Sequence, residues 1–579
     1  MPTSPLLSVS DLTVEFRRDD GFHPAVQGVS FEVERGKTLG IVGESGSGKT
    51  VSTLALMGLL PKAQTRITSG HALFTCKHNE SDDRPTTTDL LTLSEADMQH
   101  VRGRHISMIF QEPMTSLNPV QRCGAQVAEM LQLHSALPQS EVRSRVLSLL
   151  DEVRLPNPER VYRAYPHELS GGQKQRVMIA MALMCHPDLI VADEPTTALD
   201  VTVQRSILEL LQQMQERYGM SMIFISHDLG VISQVAHTVA VMYRGRIVEQ
   251  GEVSSILHAP REAYTQGLIA CRPPLDSRPR RLPTVDDFLR NAEASSTEVP
   301  LETNDERTAR LHALQQQKPL LSVRNLSVDY VAKRNLFGRP TRRFTAVDDI
   351  SFDVFPGETL GLVGESGCGK TTLGRTLLRL IEARSGSITF DGTPIDQLSE
   401  HTFRRLRPSL QIVFQDPYSS LNPRKPIGET IREPLTVHQR ELSKAEGRAR
   451  VVQLMQRVGL DPEWYNRYPH EFSGGQRQRV CIARALIMNP RLVICDESVS
   501  ALDVSVQAQV LNLLAELKQS FGYTYVFISH DLSVVRFVSD RIMVMRNGRI
   551  VEQGEADSLF ANPQQPYTRS LIDALPHIG

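Results

Sequence analysis

Unbroken apolar runs alternate along this chain with stretches whose apolar residues recur at helical spacing. The runs "KTLGIVG" and "ETLGLVG" end in glycine and lead into "KTVSTLALMGLL" and "KTTLGRTLLRLI", which have the helical period. The runs "DLIVADE", "SMIFISHD", "RLVICDE" and "TYVFISHD" are bounded by polar residues, as parallel strands buried on both faces are. The pattern predicts an α/β fold that binds its ligands at the carboxyl ends of the strands.

The same words recur in the same order in both halves of the chain. "FQEPMTSLNP" pairs with "FQDPYSSLNP", "YPHELSGGQKQR" with "YPHEFSGGQRQR", and "LIVADEPTTALD" with "LVICDESVSALD". Ser170 and Glu194 are 24 residues apart, as are Ser473 and Glu497. The chain is therefore a tandem duplication. Its first half carries an insertion, "TCKHNESDDRPTTT", whose polar composition is typical of a surface loop.

Between Gln111 and Ser170 the pattern of apolar residues changes to the helical period. One apolar stripe consists of Val142, Val146, Leu150 and Val153. This region predicts a helical lobe that interrupts the α/β core. Because the chain is duplicated, we expect each half to have two lobes.

The length and composition of the chain argue against several classes of protein. At 579 residues the chain is too long for one ordinary domain, and its 64 Lys and Arg against 66 Asp and Glu lack the basic excess expected of a nucleic-acid-binding protein. Its seven cysteines include no CxxC pair, so neither a disulfide framework nor a zinc or iron–sulfur site is indicated. No stretch has the pattern of a signal peptide or a membrane span. A role at a membrane is therefore expected to depend on partner proteins.

A segment of different composition separates the two halves. Residues 272–318 are rich in Pro, Ser, Glu and Arg, with balanced charge and no sustained apolar period. We interpret this segment as a tether. The predicted organisation is a first domain over 1–271, a linker over 272–318 and a second domain over 319–579.

Each half contains the pattern GxxxxGK[ST] between a predicted strand and a predicted helix. Glycines suit this loop because its backbone amides must approach phosphates closely, and the start of the helix adds positive potential. Lys49 and Lys370 are expected to reach the β and γ phosphates, and Thr50 and Thr371 a Mg²⁺ ion. The other predicted phosphate-binding residues are Gly43, Ser45, Gly46 and Gly48, and Gly364, Ser366, Gly367 and Gly369.

An acidic pair ends one predicted strand in each half. One carboxylate of each pair, Asp193 or Asp496, is expected to join the metal shell. The other, Glu194 or Glu497, is a candidate general base for the attacking water. An acidic pair alone is more often a helix cap or a solvated edge, but the phosphate-binding loop upstream favours the catalytic interpretation.

Two further polar side chains occur in both halves at the ends of apolar runs. Gln111 and Gln415 are neutral and could orient the water or bind the metal. His227 and His530 could hold the γ-phosphate and sense its departure. The distance from Glu194 to His227 is 33 residues, and the distance from Glu497 to His530 is the same, which favours function over a structural role.

The words "LSGGQ" and "FSGGQ" predict a second anion site in each half. Ser170 and Ser473 are expected to cap helices, and the glycines that follow expose backbone amides at the helix start. Each half already has a phosphate-binding loop. This second site therefore has no phosphate of its own half to hold.

Along each half the motifs follow in the order phosphate-binding loop, glutamine, LSGGQ signature, acidic pair, D-loop aspartate and histidine, with Asp200 and Asp503 at the D-loop positions. In this order they resemble the ATP-binding cassette (ABC) family over nearly the full chain. The resemblance implies two tandem P-loop NTPase domains, each a RecA-like α/β lobe with an inserted helical lobe, that use ATP and Mg²⁺. In this family two cassettes pair head to tail, and ATP lies between the P-loop of one and the LSGGQ signature of the other.

The resemblance also implies how the residues divide between two sites. The P-loop, acidic pair, glutamine and histidine of each half would be completed by the signature of the other half. The completing residues are Ser473, Gly474 and Gly475 for the first half, and Ser170, Gly171 and Gly172 for the second. Phe16 and Tyr330 occupy the positions of the family's adenine-stacking aromatic residue, although an aromatic at a strand end is often only packing.

The sequence departs from the family pattern at two positions. Cys368 stands where the first half has Ser47, and Ser498 where it has Pro195. Because Cys368 lies beside a predicted helix start, we expect its thiol pKa to be lowered and the thiol to react with reagents that block the second site.

Within the family, "FQEPMTSLNP", "YPHE", "AYTQGL" and "PYTRSL" resemble the ATPases of oligopeptide, dipeptide and glutathione uptake systems. The resemblance implies two permease subunits, an extracytoplasmic substrate-binding protein and a peripheral place on the cytoplasmic face of the bacterial inner membrane. Glutathione, dipeptides, longer peptides, peptide antibiotics and nickel all remain open as cargo. The alternative is a twin-cassette ATPase that acts on ribosomes or nucleic acid, but such proteins resemble "DEPTNHLD" where this chain has "DEPTTALD".

Overall fold

The structure is a computed structural model that describes residues 4–76, 86–112, 116–197, 199–290, 300–334 and 340–575, and the side chains of 332–334 and 340–342 are not described. Most of the predicted insertion, residues 77–85, lies outside the described residues. The described ends of the insertion belong to two paired antiparallel strands, since Cys76 pairs with Thr86.

The first half contains an antiparallel sheet of four strands, in the order β2-β1-β4-β5, and a sheet of six, in the order β10-β9-β3-β8-β7-β6. The larger sheet is parallel except that β10 runs against β9. The strands are β1 Leu7–Arg18, β2 Gly21–Val33, β3 Thr38–Val42, β4 Thr65–Cys76, β5 Thr86–Asp89, β6 Ile106–Ile109, β7 Leu189–Asp193, β8 Ser221–Ser226, β9 Thr238–Tyr243 and β10 Arg246–Glu252. The helices are Lys49–Leu56, Glu95–Val101, Cys123–His134, Gln139–Glu152, Pro158–Arg163, Gly171–Leu183, Val201–Tyr218, Leu229–Val235, Val253–His258 and Ala263–Ala270, with 3₁₀ turns at Leu90–Thr92 and Pro166–Glu168.

The second half repeats this topology, with sheets ordered β12-β11-β14-β15 and β16-β17-β18-β13-β19-β20. The strands are β11 Leu321–Arg334, β12 Pro340–Val354, β13 Thr359–Val363, β14 Ser385–Phe390, β15 Thr393–Pro394, β16 Leu410–Val413, β17 Leu492–Asp496, β18 Thr524–Ile528, β19 Arg541–Arg546 and β20 Arg549–Glu555. The helices are Lys370–Leu377, Glu400–Arg404, Pro417–Ser420, Ile427–His438, Lys444–Arg457, Gly474–Leu486, Val504–Phe521, Leu532–Val538, Ala556–Ala561 and Pro566–Asp573, with 3₁₀ turns at Arg407–Ser409, Pro462–Asn466 and Pro469–Glu471.

Apolar layers explain why these elements pack as they do. In each half, apolar side chains fill the space between the antiparallel sheet and one face of the mixed sheet. The central strands β3, β7 and β8 are buried along their whole length, as unbroken apolar runs predict. The fold class predicted from the sequence, α/β with tandem domains, is confirmed.

The predicted helical lobe is present in both halves. In the first half the helix Gln139–Glu152 buries Val142, Val146 and Leu150 of the predicted stripe, and the side chain of Val153 is buried just beyond the helix end. The second half has the corresponding helices Ile427–His438 and Lys444–Arg457.

Within the described part of the chain, no helix combines the length and apolar character that crossing a bilayer requires.

The composition of the segment between the halves predicts a tether, but the described residues of this segment pack against the rest of the protein. Its described residues contain the helices Val285–Arg290 and Asn304–Gln315. The first of these packs against helix Ala263–Ala270, so closely that a Cβ on Gly267 would lie 3.0 Å from Val285 Cα. We call residues 272–290 and 300–318 the docked segment.

Arginines attach the docked segment to acidic side chains of the second half. Arg310 Nη2 lies 2.9 Å from the Oδ1 of Asp540, a side chain that is only 2 % exposed. Arg307 forms ion pairs with Asp557 and, at 2.8 Å, with Glu555. A carboxylate as buried as that of Asp540 is stable in its charged form only when cations compensate it.

Hydrogen bonds that involve backbone groups also join the docked segment to the second half. The N–H of Leu282 donates to Asn512 Oδ1 at 2.8 Å, and Asn512 Nδ2 donates back to the Leu282 carbonyl at 2.9 Å. Arg278 Nη2 donates to the Ser539 carbonyl at 2.6 Å. The segment is therefore seated on this surface by neutral as well as charged bonds.

This surface differs between the two halves. Asp540 lies ten residues after His530, and the residue ten positions after His227 is His237. By the same offset, Asp557 corresponds to Ser254. The first half therefore lacks counterparts of two of the three second-half carboxylates that pair with Arg307 and Arg310, which explains why these arginines bind the second half.

Substituting Asp540→Asn should destabilise the second half by about 3 kcal/mol, because removing one partner of a buried ion pair leaves the other charges uncompensated. Burial raises the pKa of Asp540, but the charges of Lys518 and Arg310 outweigh it and hold that pKa below its usual range. The stabilisation is therefore present at neutral pH and is lost as the pH falls below the usual range of a carboxyl group. Fluorescence of Trp464, the single tryptophan, reports the unfolding midpoint of this half.

The exposed pair of Asp348 with Arg549 provides the control, since its side chains are 31 % and 69 % exposed. Asp348→Asn should cost less than about 1 kcal/mol. Equal midpoint shifts for the two variants would contradict the proposed anchoring role of Asp540.

Candidate functional site

Both P-loops have the predicted strand–loop–helix context. Strand β3 leads into helix Lys49–Leu56, and β13 into helix Lys370–Leu377. The residue before each helix, Gly48 or Gly369, has a left-handed φ of 104° or 108°. A Cβ on Gly369 would lie 2.2 Å from the Ala346 carbonyl oxygen, so both backbone conformation and space require glycine.

The P-loop lysines are buried and bonded to their own loops. Lys49 is 4 % exposed, and its Nζ donates to the carbonyls of Gly43 at 2.7 Å and Glu44 at 3.0 Å. Lys370 Nζ makes the same two bonds, to Gly364 at 2.6 Å and Glu365 at 2.9 Å. Each ammonium group therefore lies inside the loop that is predicted to bind phosphates.

The predicted metal ligands are adjacent in each half. Thr50 Oγ1 donates to Asp193 Oδ1 at 3.0 Å, and Thr371 Oγ1 donates to Asp496 Oδ1 at 2.9 Å. Burial raises the pKa of Asp193 to about 6, against the opposing hydrogen bond from Thr50, and burial also raises the pKa of Asp496. The buried Oδ2 of Asp496 has no hydrogen-bond partner among the described residues. Hydroxyl and carboxylate oxygens in this arrangement suit Mg²⁺.

Glu194 brings the other predicted catalytic side chains of the first half around one oxygen. Its Oε2 accepts hydrogen bonds from Gln111 Nε2 at 3.0 Å and Thr197 Oγ1 at 2.9 Å, and it lies 3.3 Å from His227 Nδ1. The second half repeats this arrangement, with Glu497 Oε2 at 2.8 Å from Gln415 Nε2 and 3.5 Å from His530 Nδ1. Gln111 and Gln415 thus lie beside the candidate base, and no described bond joins them to Asp193 or Asp496.

Both glutamates have an uncommon backbone conformation. The φ of Glu194 is 46° and that of Glu497 is 48°, in the left-handed region that costs a non-glycine residue about 1–2 kcal/mol. Such strain persists only where the surroundings impose it, and it concentrates at functional sites. The sequence gives no signal for this conformation.

Charge keeps Glu194 ionised in this structure. Burial raises its pKa, but the hydrogen bond and charge of His227, together with the Lys49 charge, outweigh burial and lower the pKa to about 2. Burial lowers the pKa of His227, but the hydrogen bond and charge of Glu194 outweigh burial and raise that pKa above its usual value. The pair therefore favours a carboxylate beside a protonated imidazole.

The signature serines are helix N-caps, as predicted. Ser170 Oγ accepts from Gln173 N–H at 3.4 Å, and Ser473 Oγ accepts from Gln476 N–H at 3.3 Å. The signature helices Gly171–Leu183 and Gly474–Leu486 pack tightly on the helices that follow the D-loops. A Cβ on Gly475 would lie 2.2 Å from Val506 Cγ1, and one on Gly172 2.9 Å from Val203 Cγ1.

Each P-loop touches the D-loop of the other half. Ser45 N–H donates to Asp503 Oδ2 at 3.0 Å, and Ser366 N–H donates to Asp200 Oδ2 at 3.2 Å. The signature helix of each half packs on its own D-loop helix, and each P-loop contacts the D-loop of the other half. The pairing of each P-loop with the opposite signature, which the family resemblance implies, stays a prediction.

A second pair of contacts across the interface was not predicted. Ser505 Oγ donates to Glu44 Oε1, and Thr202 Oγ1 lies 3.4 Å from Glu365 Oε1. Glu44 and Glu365 occupy variable positions of the GxxxxGK[ST] pattern, so the motif does not mark them. Their repetition in "GESGSGKT" and "GESGCGKT" is the only sequence signal for this role.

Two aromatic side chains, Tyr330 and Phe344, line a cavity beside the second P-loop. This cavity of about 230 Å³ is lined by the P-loop, by Gln415, Glu497 and His530, by Asp200 of the other half, and by Tyr330 and Phe344. Phe344 was not predicted, and it lies opposite Tyr330 in the pairing of β11 with β12. In the first half the residue paired with Phe16 is His23, and Phe16 is partly buried against the core. The two halves therefore differ at the predicted adenine side.

The prediction of a lowered thiol pKa for Cys368 is wrong. The side chain is 7 % exposed, and burial raises the pKa of its thiol above the usual value despite the opposing charge of Lys370 and the nearby helix start. Desolvation of a thiolate dominates at this depth. A buried neutral thiol is not expected to react readily.

Comparison with known protein families yields two matches in each half. The ABC transporter family matches residues 26–197 and 347–500. The C-terminal region of the oligopeptide/dipeptide transporter family matches 248–297 and 551–579. The second of these matches covers both "YT" motifs that follow the cassettes.

Curated relatives match along the whole chain. The glutathione import ATP-binding protein GsiA of Pectobacterium atrosepticum is 48 % identical over 581 residues, which cover 100 % of this chain and 90 % of that protein. The protein of the same name from Salmonella paratyphi A is 48 % identical, with 99 % of this chain and 89 % of that protein covered. Among solved structures, a dimeric post-hydrolysis state of the ATP-binding cassette MJ0796 bound to ADP and Pi is 27 % identical, covers 41 % of this chain and 98 % of that chain, and has a TM-score of 0.38.

Proposed function

The chain belongs to the ABC transporter family, and on this premise we propose that its cargo is glutathione or a peptide of similar size. It is an ATPase of an importer of the peptide class, which binds and hydrolyses ATP and works with permease partners. The cargo proposal is supported by two full-length relatives that are named for glutathione import. It is also supported by the oligopeptide/dipeptide transporter region that follows each cassette.

The observation that carries the mechanism is the contact of each P-loop with the opposite D-loop. We infer that each ATP site is shared between domains 1–271 and 319–579, which residues 272–318 connect. Lys49 and the rest of the first P-loop would act with Ser473, Gly474 and Gly475, and Lys370 with Ser170, Gly171 and Gly172. Closing the two halves would then complete both sites.

Within each site the glutamate is the proposed general base. Glu194 is ionised and bonded to Gln111 and His227, so the water that it activates would lie near the same three side chains. His227 would donate to the γ-phosphate, and Gln111 would orient the water. Thr50, Asp193 and Gln111 would hold Mg²⁺ in the first half, and Thr371, Asp496 and Gln415 in the second. The bound ion would neutralise phosphate charge.

We further propose where a permease contacts the first half. An apolar groove near Gln111 is lined by twelve described residues, five of them methionines, and includes Leu59 and Phe110, which are 41 % and 42 % exposed. Methionine-rich grooves suit an amphipathic helix of a partner. The partners would be two permeases and an extracytoplasmic substrate-binding protein, which would place this chain on the cytoplasmic face of a bacterial inner membrane.

The test is ATP-dependent uptake of labelled glutathione by liposomes that contain the chain, its permeases and its binding protein. Leu59→Asp should reduce uptake and co-purification with the permeases by about tenfold or more, because it places a charge in an apolar contact. Ile67→Asp is the matched control, since Ile67 is 42 % exposed but does not line the groove.

If dipeptides are taken up while glutathione is neither taken up nor competes with them, glutathione is excluded as the cargo. The assignment to the peptide class would still hold. Equal losses in Leu59→Asp and Ile67→Asp would contradict the groove as the permease site.

A further inference from the structure

A tyrosine near the end of each half reaches back to the P-loop of the same half. Tyr264 lies in helix Ala263–Ala270 and Tyr567 in helix Pro566–Asp573. The Tyr264 hydroxyl oxygen accepts a hydrogen bond from the backbone N–H of Glu44 at 3.1 Å, and that of Tyr567 accepts one from Glu365 at 3.1 Å. Both rings are buried, with exposures of 2 % and 8 %. The contact is therefore a repeated feature of the fold.

The N–H that each tyrosine binds belongs to the peptide group whose carbonyl binds the P-loop lysine. In the first half, the Gly43 carbonyl accepts from Lys49 Nζ at 2.7 Å, while the N–H of the same peptide group donates to Tyr264. Because a peptide group is planar, the two bonds together fix its rotation. The bond to the tyrosine is independent of the lysine, so it can hold the peptide group while the ammonium group turns to phosphate.

The helices that carry the tyrosines also reach the opposite half. Arg205, in the helix that follows the first D-loop, donates from Nη1 to the Asp573 carbonyl at 3.1 Å. Helix Ala263–Ala270 in turn packs against helix Val504–Phe521 of the second half. Each tyrosine thus links its own P-loop to the helix that follows the opposite D-loop.

We propose that Tyr264 and Tyr567 are positioning residues that set the affinity for ATP by fixing the Gly–Glu peptide group of their P-loops. The proposal rests on the proposed function, since it concerns the same two ATP sites. It assigns a role to the region that follows each cassette. The tyrosine hydroxyl touches the loop and not the reacting atoms, so its loss should weaken ATP binding in the ground state and the transition state alike.

The experiment compares Tyr264→Phe, Tyr567→Phe and the double variant in the full chain. Each change removes one oxygen and keeps the buried ring. The dissociation constant for ATP, measured by calorimetry, and the KM for ATP should each rise about fivefold at the altered site, as expected for one hydrogen bond. The kcat should stay within about twofold, because uniform binding alone is lost.

Tyr243→Phe is the matched control, since its ring stacks on Tyr264 at a centroid distance of 4.2 Å. It should leave the ATP affinity unchanged, with a thermal midpoint close to that of Tyr264→Phe. This comparison separates the specific bond to the P-loop from general packing.

An unchanged dissociation constant in the double variant would overturn the proposal, and so would a fall in kcat at constant KM. If the double variant does not fold, the two single variants decide, because each keeps one tyrosine. If the wild-type chain binds ATP without importing cargo, the proposed function fails, while the comparison of dissociation constants still decides the role of the tyrosines.

Discussion

Replacing Glu194 and Glu497 together by glutamine should lower ATP turnover by about 10²- to 10⁴-fold, the range expected when a general base is lost. Glutamine keeps the shape and the hydrogen bonds to neighbouring donors but cannot accept a proton from water. ATP binding should persist, because neither glutamate belongs to the P-loop or to a signature. Turnover is measured as phosphate release and binding as retained ATP.

The single variants sharpen this result. Glu194→Gln and Glu497→Gln affect equivalent networks, so each should remove the hydrolysis of its own site. Thr197→Ala is the control, since it removes another hydrogen bond to Glu194 without removing the base. Near-normal turnover in both single variants and in the double variant would exclude these glutamates as the general bases.

The second large effect is a loss of ATP affinity in double variants that combine a P-loop change with a signature change. Its size should depend on whether the two changes lie in the same shared site or in different sites. Lys49→Ala with Ser473→Arg damages one shared site twice, and the site of Lys370 and Ser170 remains intact. Lys49→Ala with Ser170→Arg damages both sites. In the Glu194→Gln, Glu497→Gln background, the first pair should retain tight ATP binding at one site, and the second pair should bind about 10- to 100-fold more weakly, as expected when a charged contact is lost.

The two pairs contain the same P-loop change and the same kind of signature change, so each is the control of the other. If each half used its own signature, the ranking would reverse, because Lys49→Ala with Ser170→Arg would then damage a single site. Equal ATP binding by the two pairs would contradict sites shared between halves.

Much of the fold followed from local sequence. Strand β7, its acidic end and the serine caps at Ser170 and Ser473 depend on neighbouring residues, so pattern and capping preferences predict them well. The duplication strengthened these predictions, because coincidence does not explain a motif that recurs at equal spacing in both halves.

The features that sequence reasoning missed depend on residues far apart in the chain. Phe344 lines the cavity beside the second P-loop because it pairs with Tyr330 across two strands. Ser505 meets Glu44 across the interface of the halves. The raised thiol pKa of Cys368 comes from the depth of its burial, and no local pattern reports that depth.

The docked segment has a consequence for how the two halves find each other. A single chain fixes their ratio at one to one, and a connection seated on the second half keeps its partner at a high effective concentration that does not fall with dilution. Two separate subunits would need matched synthesis and could also form pairs of like with like. The covalent connection thus favours assembly of the two halves of one chain with each other.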